Sequence, residues 1–289
     1  MKILVISDTH GNFDLINDLA SAYQADACIH CGDAGFFDRQ WISTLSAEEL
    51  AKIIRHAPVW KNRAAYISSL PVAEQREIVI RHDLAGNFHA YLAGSKKFAV
   101  PLYAVWGNHE DISIIRRLQN EPLPGLTLLD EKTSVKFGDI RFCGIGGNFH
   151  GKHLAMAEKN GIPVVGNQIC STFWQYRKLV QMLDEFPYAE TRILVTHCDP
   201  AEQPFLEALA YRCQAQLTFS GHMHRQAHSF RRSCGSADAL FRSYREKYPS
   251  LPWEKMADEK ERTTEHWNLS PAKPLILEID GTQYQVQNI

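Results

Sequence analysis

The sequence predicts an α/β fold in which short buried strands alternate with helices. Five apolar runs of strand length each end in a polar cluster, and a segment with helical spacing of apolar residues separates the first two runs. Two later runs are also preceded by segments with helical character. This alternation is typical of sheets that are covered by helices. We therefore expect a sheet-based core with helices on its outer faces.

The first elements of the chain form a strand–helix–strand unit. We predict a buried strand over 3–7, a helix over 13–23 and a second buried strand over 26–31. The loop between the first strand and the helix carries polar residues, as expected where a sheet presents a site.

Residues 38–97 form a predicted helical insertion after the second strand. They are too numerous for one crossover between neighbouring strands. Ser46 and Glu49 have the spacing of a capping box, which predicts a helix that ends near His56. Pro71 marks the first turn of another helix. The insertion is a candidate lid over the site.

The remaining elements complete one predicted domain over residues 1–289. We expect a second insertion over 231–272, where the chain is polar and rich in charge. The other predicted elements are a strand over 101–106, helices over 111–119, 171–185 and 203–211, a hairpin over 135–144, and a closing hairpin over 275–286.

Composition and charge exclude several classes of protein. Hydrophobic residues make up 45% of the chain and charged residues 22%, as in ordinary globular proteins. The net charge of -2 gives no overall basic field, so nucleic-acid binding is neither indicated nor ruled out.

No apolar run approaches the roughly 20 residues of a membrane span, and no signal peptide is recognisable. The seven scattered cysteines suit reduced thiols, so we expect a cytoplasmic protein, of undetermined oligomeric state.

Polar clusters follow five of the apolar runs, at the carboxyl ends of the predicted strands. In open α/β sheets this edge is where sites are built. The clusters are Asp8-Thr9-His10, Gly32-Asp33, Gly107-Asn108-His109-Glu110, His197 and Gly221-His222-Met223-His224.

The residue types in these clusters indicate a site for two divalent metals. Carboxylates, imidazoles and an amide oxygen are suitable ligands for such ions. Asp8 and His10 are two residues apart, so strand alternation would direct both towards one ion. The Asp33 carboxylate has enough lone pairs to bridge two ions. An incomplete ligand set leaves positions for water and phosphate oxygens, which favours metal-assisted hydrolysis of a phosphate ester.

The five clusters resemble the ordered motifs of the calcineurin-like metallophosphoesterase superfamily, D-x-H, G-D, G-N-H-[DE], H and G-H-x-H, and they extend from residue 8 to residue 224. The resemblance implies a four-layer α/β/β/α sandwich and a binuclear metal centre. It implies one metal held by Asp8, His10, Asp33 and His224, and another held by Asp33, Asn108, His197 and His222. Manganese is the first expectation for both ions, and iron, zinc and nickel suit the same ligands.

The same resemblance implies hydrolysis of a phosphomonoester or phosphodiester by a metal-bridging hydroxide. Asp33 and His109 are the implied catalytic residues. His109 would not bind metal but would face the substrate, where an imidazolium stabilises developing charge or protonates the leaving oxygen. We expect a neighbouring carboxylate, Glu110 or Asp33, to raise its pKa.

Two alternatives remain open from the sequence. A Ser/Thr phosphoprotein phosphatase is favoured by G-N-H-E and by Asp38-Arg39, which could place an arginine on phosphate. The spacing of this pair from Asp33 is two residues too long, however, and Gln40 replaces the glycine that the phosphatase motif requires. A non-catalytic protein-binding scaffold on the same fold would be expected to lack metal ligands, and none is missing here.

Overall fold

Two six-stranded sheets form the centre of the protein in a computed structural model. It describes residues 1–57, 60–149, 164–165, 168–186, 190–223, 228–233 and 263–289, together with 242, 246, 247 and 249. The first sheet contains β1 (Lys2–Ile6), β2 (Ala27–Cys31), β3 (Leu102–Val105), β4 (Leu126–Leu128), β13 (Leu275–Asp280) and β14 (Gln283–Asn288). The second contains β5 (Val135–Phe137), β6 (Ile140–Ile145), β9 (Thr191–Thr196), β10 (Leu217–Ser220), β11 (His228–Ser233) and β12 (Thr263–Asn268).

Both sheets have a parallel centre. The first sheet has the order β14-β13-β1-β2-β3-β4, and the second has the order β11-β12-β10-β9-β6-β5. β1 to β4 are parallel, as are β12, β10, β9 and β6. A further short pair is formed by β7 (Val164–Val165) and β8 (Gln168–Ile169). The parallel strands bring their carboxyl ends to one edge of each sheet, where the polar clusters follow.

The sheets pack face to face, and helices cover their outer faces. Val5 and Ile29 of the first sheet share a buried apolar cluster with Val195 and Phe219 of the second. The first sheet is covered by α1 (Phe13–Ala22), α6 (Phe88–Leu92) and α7 (Ile112–Asn120), and the second by α8 (Phe173–Asp184) and α9 (Pro204–Arg212). The predicted four-layer α/β/β/α sandwich is confirmed.

The chain after β2 forms a helical unit with its own apolar core. It contains α2 (Arg39–Ile42), α3 (Ala47–His56), a 3-10 turn (Lys61–Arg63), α4 (Ala64–Ser68) and α5 (Val72–Arg81). α3 begins with the capping box of Ser46 and Glu49, and it buries Leu50 and Ile54 against the other helices of the unit. We call this unit, residues 38–97, the helical insertion.

Both ends of the polar segment 231–272 belong to the second sheet, as β11 and β12. Most of the residues between these two strands lie outside the described residues, so the second insertion stays a prediction there. Hydrophobic periodicity does not reveal β12, because polar residues occupy most of its buried positions, beside the buried Trp267. Thr264, His266 and Asn268 are buried, and the Thr218 hydroxyl lies 2.7 Å from His266 Nδ1. Asn268 donates from its amide to the Gly221 carbonyl at 2.8 Å, which fixes the loop after β10.

Two further features of the chain concern membrane-spanning helices and cysteines. No helix among the described residues is long and apolar enough to cross a membrane. The six cysteines that the structure describes are buried thiols, free of disulfide bonds.

Candidate metal centre

Five of the predicted ligands converge where the carboxyl ends of both sheets meet. Ligand atoms of Asp8, Asp33 and His197 lie within 4.8 Å of one another. His197 Nε2 is 2.9 Å from Asn108 Oδ1 and 3.2 Å from His222 Nδ1. All five side chains are buried or partly buried. The site is therefore assembled from loops that follow β1, β2, β3, β9 and β10.

The loops that carry these side chains have an unusual backbone. Asp8, His10, Asp33 and His222 have φ values of 55°, 46°, 51° and 68°, in the left-handed region that disfavours residues with a side chain. Each such residue costs on the order of 1–3 kcal/mol, and it persists only where its surroundings hold it. β1 ends at Ile6, so these backbone conformations, and not strand alternation, direct Asp8 and His10.

Hydrogen bonds between the loops hold this strained backbone. The Asp8 amide donates to the Gly32 carbonyl at 3.0 Å, and the His10 amide donates to the Asp33 carbonyl at 2.9 Å. The His222 amide donates to Asp8 Oδ2 at 3.1 Å, and the Ser7 hydroxyl donates to the same oxygen at 2.5 Å. The role of Ser7 had no signal in the sequence.

Two further predicted residues, His10 and His109, lie beside this group. The His10 ring stacks on the His56 ring, with 4.0 Å between centroids. The His109 amide donates to Asp33 Oδ1 at 3.0 Å, and its ring centroid is 6.4 Å from that of His56. His224 lies outside the described residues. His56, which belongs to the helical insertion, was not predicted as a site residue.

The tautomer of His197 suits a metal ligand. Its Nδ1 lies 3.0 Å from the Cys31 carbonyl, which can only accept, so Nδ1 carries the proton. The lone pair of Nε2 then points towards Asn108 Oδ1 and His222 Nδ1. Metal-binding histidines commonly donate their second N–H to a carbonyl in this way.

The donor set fits divalent cations. Asp33 Oδ2 is buried and has no hydrogen-bond partner among the described residues, which is costly for a carboxylate oxygen unless a cation lies beside it. Atoms that bind one ion at about 2.1 Å are about 3.0 Å apart at adjacent octahedral positions and about 3.4 Å apart at tetrahedral positions. The separations of 2.9 and 3.2 Å around His197 Nε2 agree with these spacings.

Burial and neighbouring charges both shift the pKa values of the site residues, and for Asp33 they act in opposite directions. Burial opposes ionisation of Asp33, but the imidazoles of His197, His109 and His10 together lower its pKa. Burial lowers the pKa of His222 to about 4, which leaves a neutral ring able to bind metal.

The expectation for His109 was wrong in its direction. Burial lowers the pKa of His109, and the opposing charge of Asp33 does not outweigh that effect. Its imidazole is therefore neutral near pH 7 and offers one N–H donor.

Glu110 supports the backbone of the loops instead of raising the pKa of His109. Its carboxylate accepts from the backbone amides of Ala34 at 2.9 Å, Phe36 at 2.6 Å and Gly107 at 3.3 Å. Burial, followed by the charge of Asp33, raises its pKa to about 8. Gly107 has to be glycine, because a Cβ there would overlap the Asp33 carboxylate.

Two other polar residues, His30 and Arg39, make contacts that support the fold. His30 is buried and shares a 3.0 Å hydrogen bond with the Thr9 hydroxyl, and burial lowers its pKa to about 3. Arg39 pairs with Asp83 at 2.7 Å on the surface of the helical insertion, so a described partner already occupies its guanidinium.

The family model of calcineurin-like phosphoesterases matches residues 1–226 of this chain. No curated protein matches the chain. One solved structure is similar to this chain, with 12% identical residues and a TM-score of 0.53, over 99% of this chain and 98% of that chain. At this level of identity the similarity shows the fold alone.

Two named structures are also similar. A dimetal phosphatase from Danio rerio is 11% identical with a TM-score of 0.46, over 100% of this chain and 98% of that one. The NAD nucleotidase of Haemophilus influenzae is 12% identical with a TM-score of 0.44, over 100% of this chain and 55% of that one.

Replacing Glu110 should weaken metal binding without unfolding the protein. In Glu110→Gln the amide group would present N–H donors to backbone N–H donors, so the loops that carry Asp33 and Asn108 should shift. We expect Mn affinity to fall by about 10–100-fold, the range for residues that support metal ligands. Calorimetric titration of Mn measures this change, and circular dichroism checks the fold.

The matched control is Glu207→Gln, a buried glutamate of α9 that accepts from the Tyr211 hydroxyl away from the site. Mn affinity should remain at the wild-type value in this control. Equal Mn affinity in Glu110→Gln and in the wild type would contradict the supporting role of Glu110.

Proposed function

Because the chain belongs to the calcineurin-like phosphoesterase family, we propose that this metal-dependent hydrolase uses a binuclear centre to hydrolyse a phosphomonoester or phosphodiester. The observation that carries the proposal is the convergence of Asp8, Asp33, Asn108, His197 and His222 at one buried point. These ligands come from five separate loops. A shared cation is a direct physical reason for five loops to meet there.

The proposed ligands divide into two sets that share Asp33. Asp8, His10 and His224 complete one set. Asn108, His197 and His222 complete the other. When bound, two divalent ions would neutralise phosphate oxygens and make a hydroxide nucleophile available near neutral pH.

The protein's own residues would fix the positions of these groups. His197 is oriented by the Cys31 carbonyl, and Asp33 is oriented by the His109 amide. Ligands that are already oriented need no reorganisation when charge develops on the reacting phosphate. The strained loop conformations then have a function, since they direct side chains that an ordinary strand end would direct elsewhere.

His109 would contact the substrate through its neutral ring. Its side chain lies near Asp33 and lines a small cavity under the helical insertion, together with His10 and His56. Because burial lowers its pKa, the ring would donate a hydrogen bond from its single N–H to a phosphate or leaving-group oxygen.

The function is tested by turnover with and without metal. The substrates are p-nitrophenyl phosphate, bis-p-nitrophenyl phosphate, a cyclic nucleotide and a phosphopeptide, each with Mn added. We expect hydrolysis of at least one ester, loss of that activity after chelation, and recovery when Mn is restored, because the nucleophile depends on the ions.

The pattern across these substrates separates the alternatives. Turnover of the phosphopeptide alone would favour a phosphoprotein phosphatase. Activity that survives complete removal of metal would contradict the proposal. Absence of turnover on every ester, with two metals bound per chain, would favour a scaffold.

Truncation of His109 should affect chemistry more than metal binding. We expect His109→Ala to lower kcat by about 100-fold or more, the range for a lost proton-donating group, while metal content stays at the wild-type value. Steady-state kinetics and metal analysis on the same preparations measure both quantities. His89→Ala, in α6, is the control and should leave both unchanged. Loss of metal together with activity in His109→Ala would show that its role is different.

A further inference from the structure

A large cleft lies directly beside the candidate metal centre. Its volume is about 740 Å³, within the range of about 300–1,000 Å³ typical of small-molecule sites. Asp8 and His10 line one side, and residues of the helical insertion line the other, among them Arg55, Trp60 and Lys61. The cleft is much larger than a phosphate group, so it has room for the rest of a substrate.

The wall made by the insertion is fastened to the metal-binding loop. The His56 ring stacks on that of His10 at 4.0 Å. The Asn87 amide donates to the Gly11 carbonyl at 2.9 Å, and Gly86 packs so closely on Gly11 that a Cβ would overlap it. The wall therefore keeps a defined position relative to the ligands Asp8 and His10.

Positive charge in this wall is not neutralised by the described residues. Four other cations of the insertion have acidic partners: Arg39 with Asp83, Lys52 with Glu48, Arg81 with Glu77, and Lys96 with Asp14. Arg55 and Lys61 are exposed in the cleft and form no ion pair with any acidic residue that the structure describes. A negatively charged group in the cleft would meet two available cations.

The same wall contains a flat aromatic surface. Trp60 is half-buried and lines the cleft, with the Arg63 guanidinium 5.6 Å from its ring centroid. The His82 ring lies 4.5 Å from it, tilted by 44°. Contacts with Arg63 and His82 limit the orientations open to the indole. A held indole ring favours planar ligands.

We propose that this cleft binds the leaving group of the substrate, and that this group is planar and carries a second negative charge. The inference rests on the proposed function, which places the reacting phosphate at Asp8 and His10. Trp60 would contact the planar part of the leaving group. Arg55 and Lys61 would contact its second anionic group. The helical insertion thereby selects the substrate, while the metal centre performs a chemistry common to many phosphate esters.

The test compares two ligands that differ by a single charge. 4-Carboxybenzylphosphonate and benzylphosphonate cannot be hydrolysed, and each places a phosphonate at the metal centre with a ring beyond it. Biphenyl versions of both extend the reach of the carboxylate. Calorimetric titration of the Mn-loaded protein gives the ratio of the two affinities within each pair, and this ratio removes the shared phosphonate contribution.

We expect the carboxylate to improve affinity by about fivefold in at least one pair, because exposed charge contacts contribute modestly to binding. Arg55→Ala combined with Lys61→Ala should reduce that ratio to about one, and added salt should reduce it in the wild type. Arg116→Ala, an exposed arginine of α7, is the matched control and should keep the wild-type ratio. Trp60→Leu should weaken all aryl phosphonates, and Trp60→Phe should restore most of the loss.

The outcomes for the cleft and for the proposed function are distinguishable. A ratio of one in the wild type for both pairs, or a ratio that survives in the double variant, would overturn the inference. Turnover of p-nitrophenyl phosphate or bis-p-nitrophenyl phosphate needs no second charge, so absence of turnover on every ester of the panel would count against the proposed function. A preference for the carboxylate that is lost in the double variant supports the cleft assignment whatever the rate of turnover.

Discussion

A buried carboxylate, that of Asp33, has to remain ionised inside the protein, and the arrangement around it meets that requirement. Transfer of an unpaired charge out of water is strongly unfavourable. Imidazoles on three sides lower the pKa of Asp33, and the His109 amide donates to one of its oxygens. The other oxygen has no partner among the described residues, so a cation is the natural complement. Gly107 and Glu110 hold the neighbouring backbone close enough for this geometry to exist.

The two sheets provide the rigidity that this site needs. Four site residues have left-handed backbone, a cost that only well-packed surroundings can sustain. The strands before these loops are almost completely buried, and the sheets share one apolar core. The loops are also tied to one another across the sandwich, as when the His222 amide donates to Asp8 Oδ2 at 3.1 Å. The packing that stabilises the sandwich thus also maintains the geometry of the site.

Much of this arrangement could be predicted from the sequence because its signals are local. Buried parallel strands read as continuous apolar runs, and the helix of Ser46 and Glu49 has a complete capping box. The clusters at strand ends contain the five candidate ligands that the structure brings together. The roles of Ser7 and His56 could not be predicted, since they depend on the turn of the loop after β1 and on a contact with the distant His10. β12 was missed because hydrogen-bonded polar residues occupy most of its buried positions, and the pKa of His109 was misjudged because burial outweighs the charge of Asp33.

The central claim is that Asp33 is shared between two metal ions at the meeting point of the sheets. The most direct measurement is a crystal structure of the Mn-loaded protein with anomalous diffraction data. The account predicts two anomalous peaks about 3.5–4 Å apart, both in contact with the Asp33 carboxylate. A single peak at full Mn occupancy, or two peaks of which only one contacts Asp33, would contradict it.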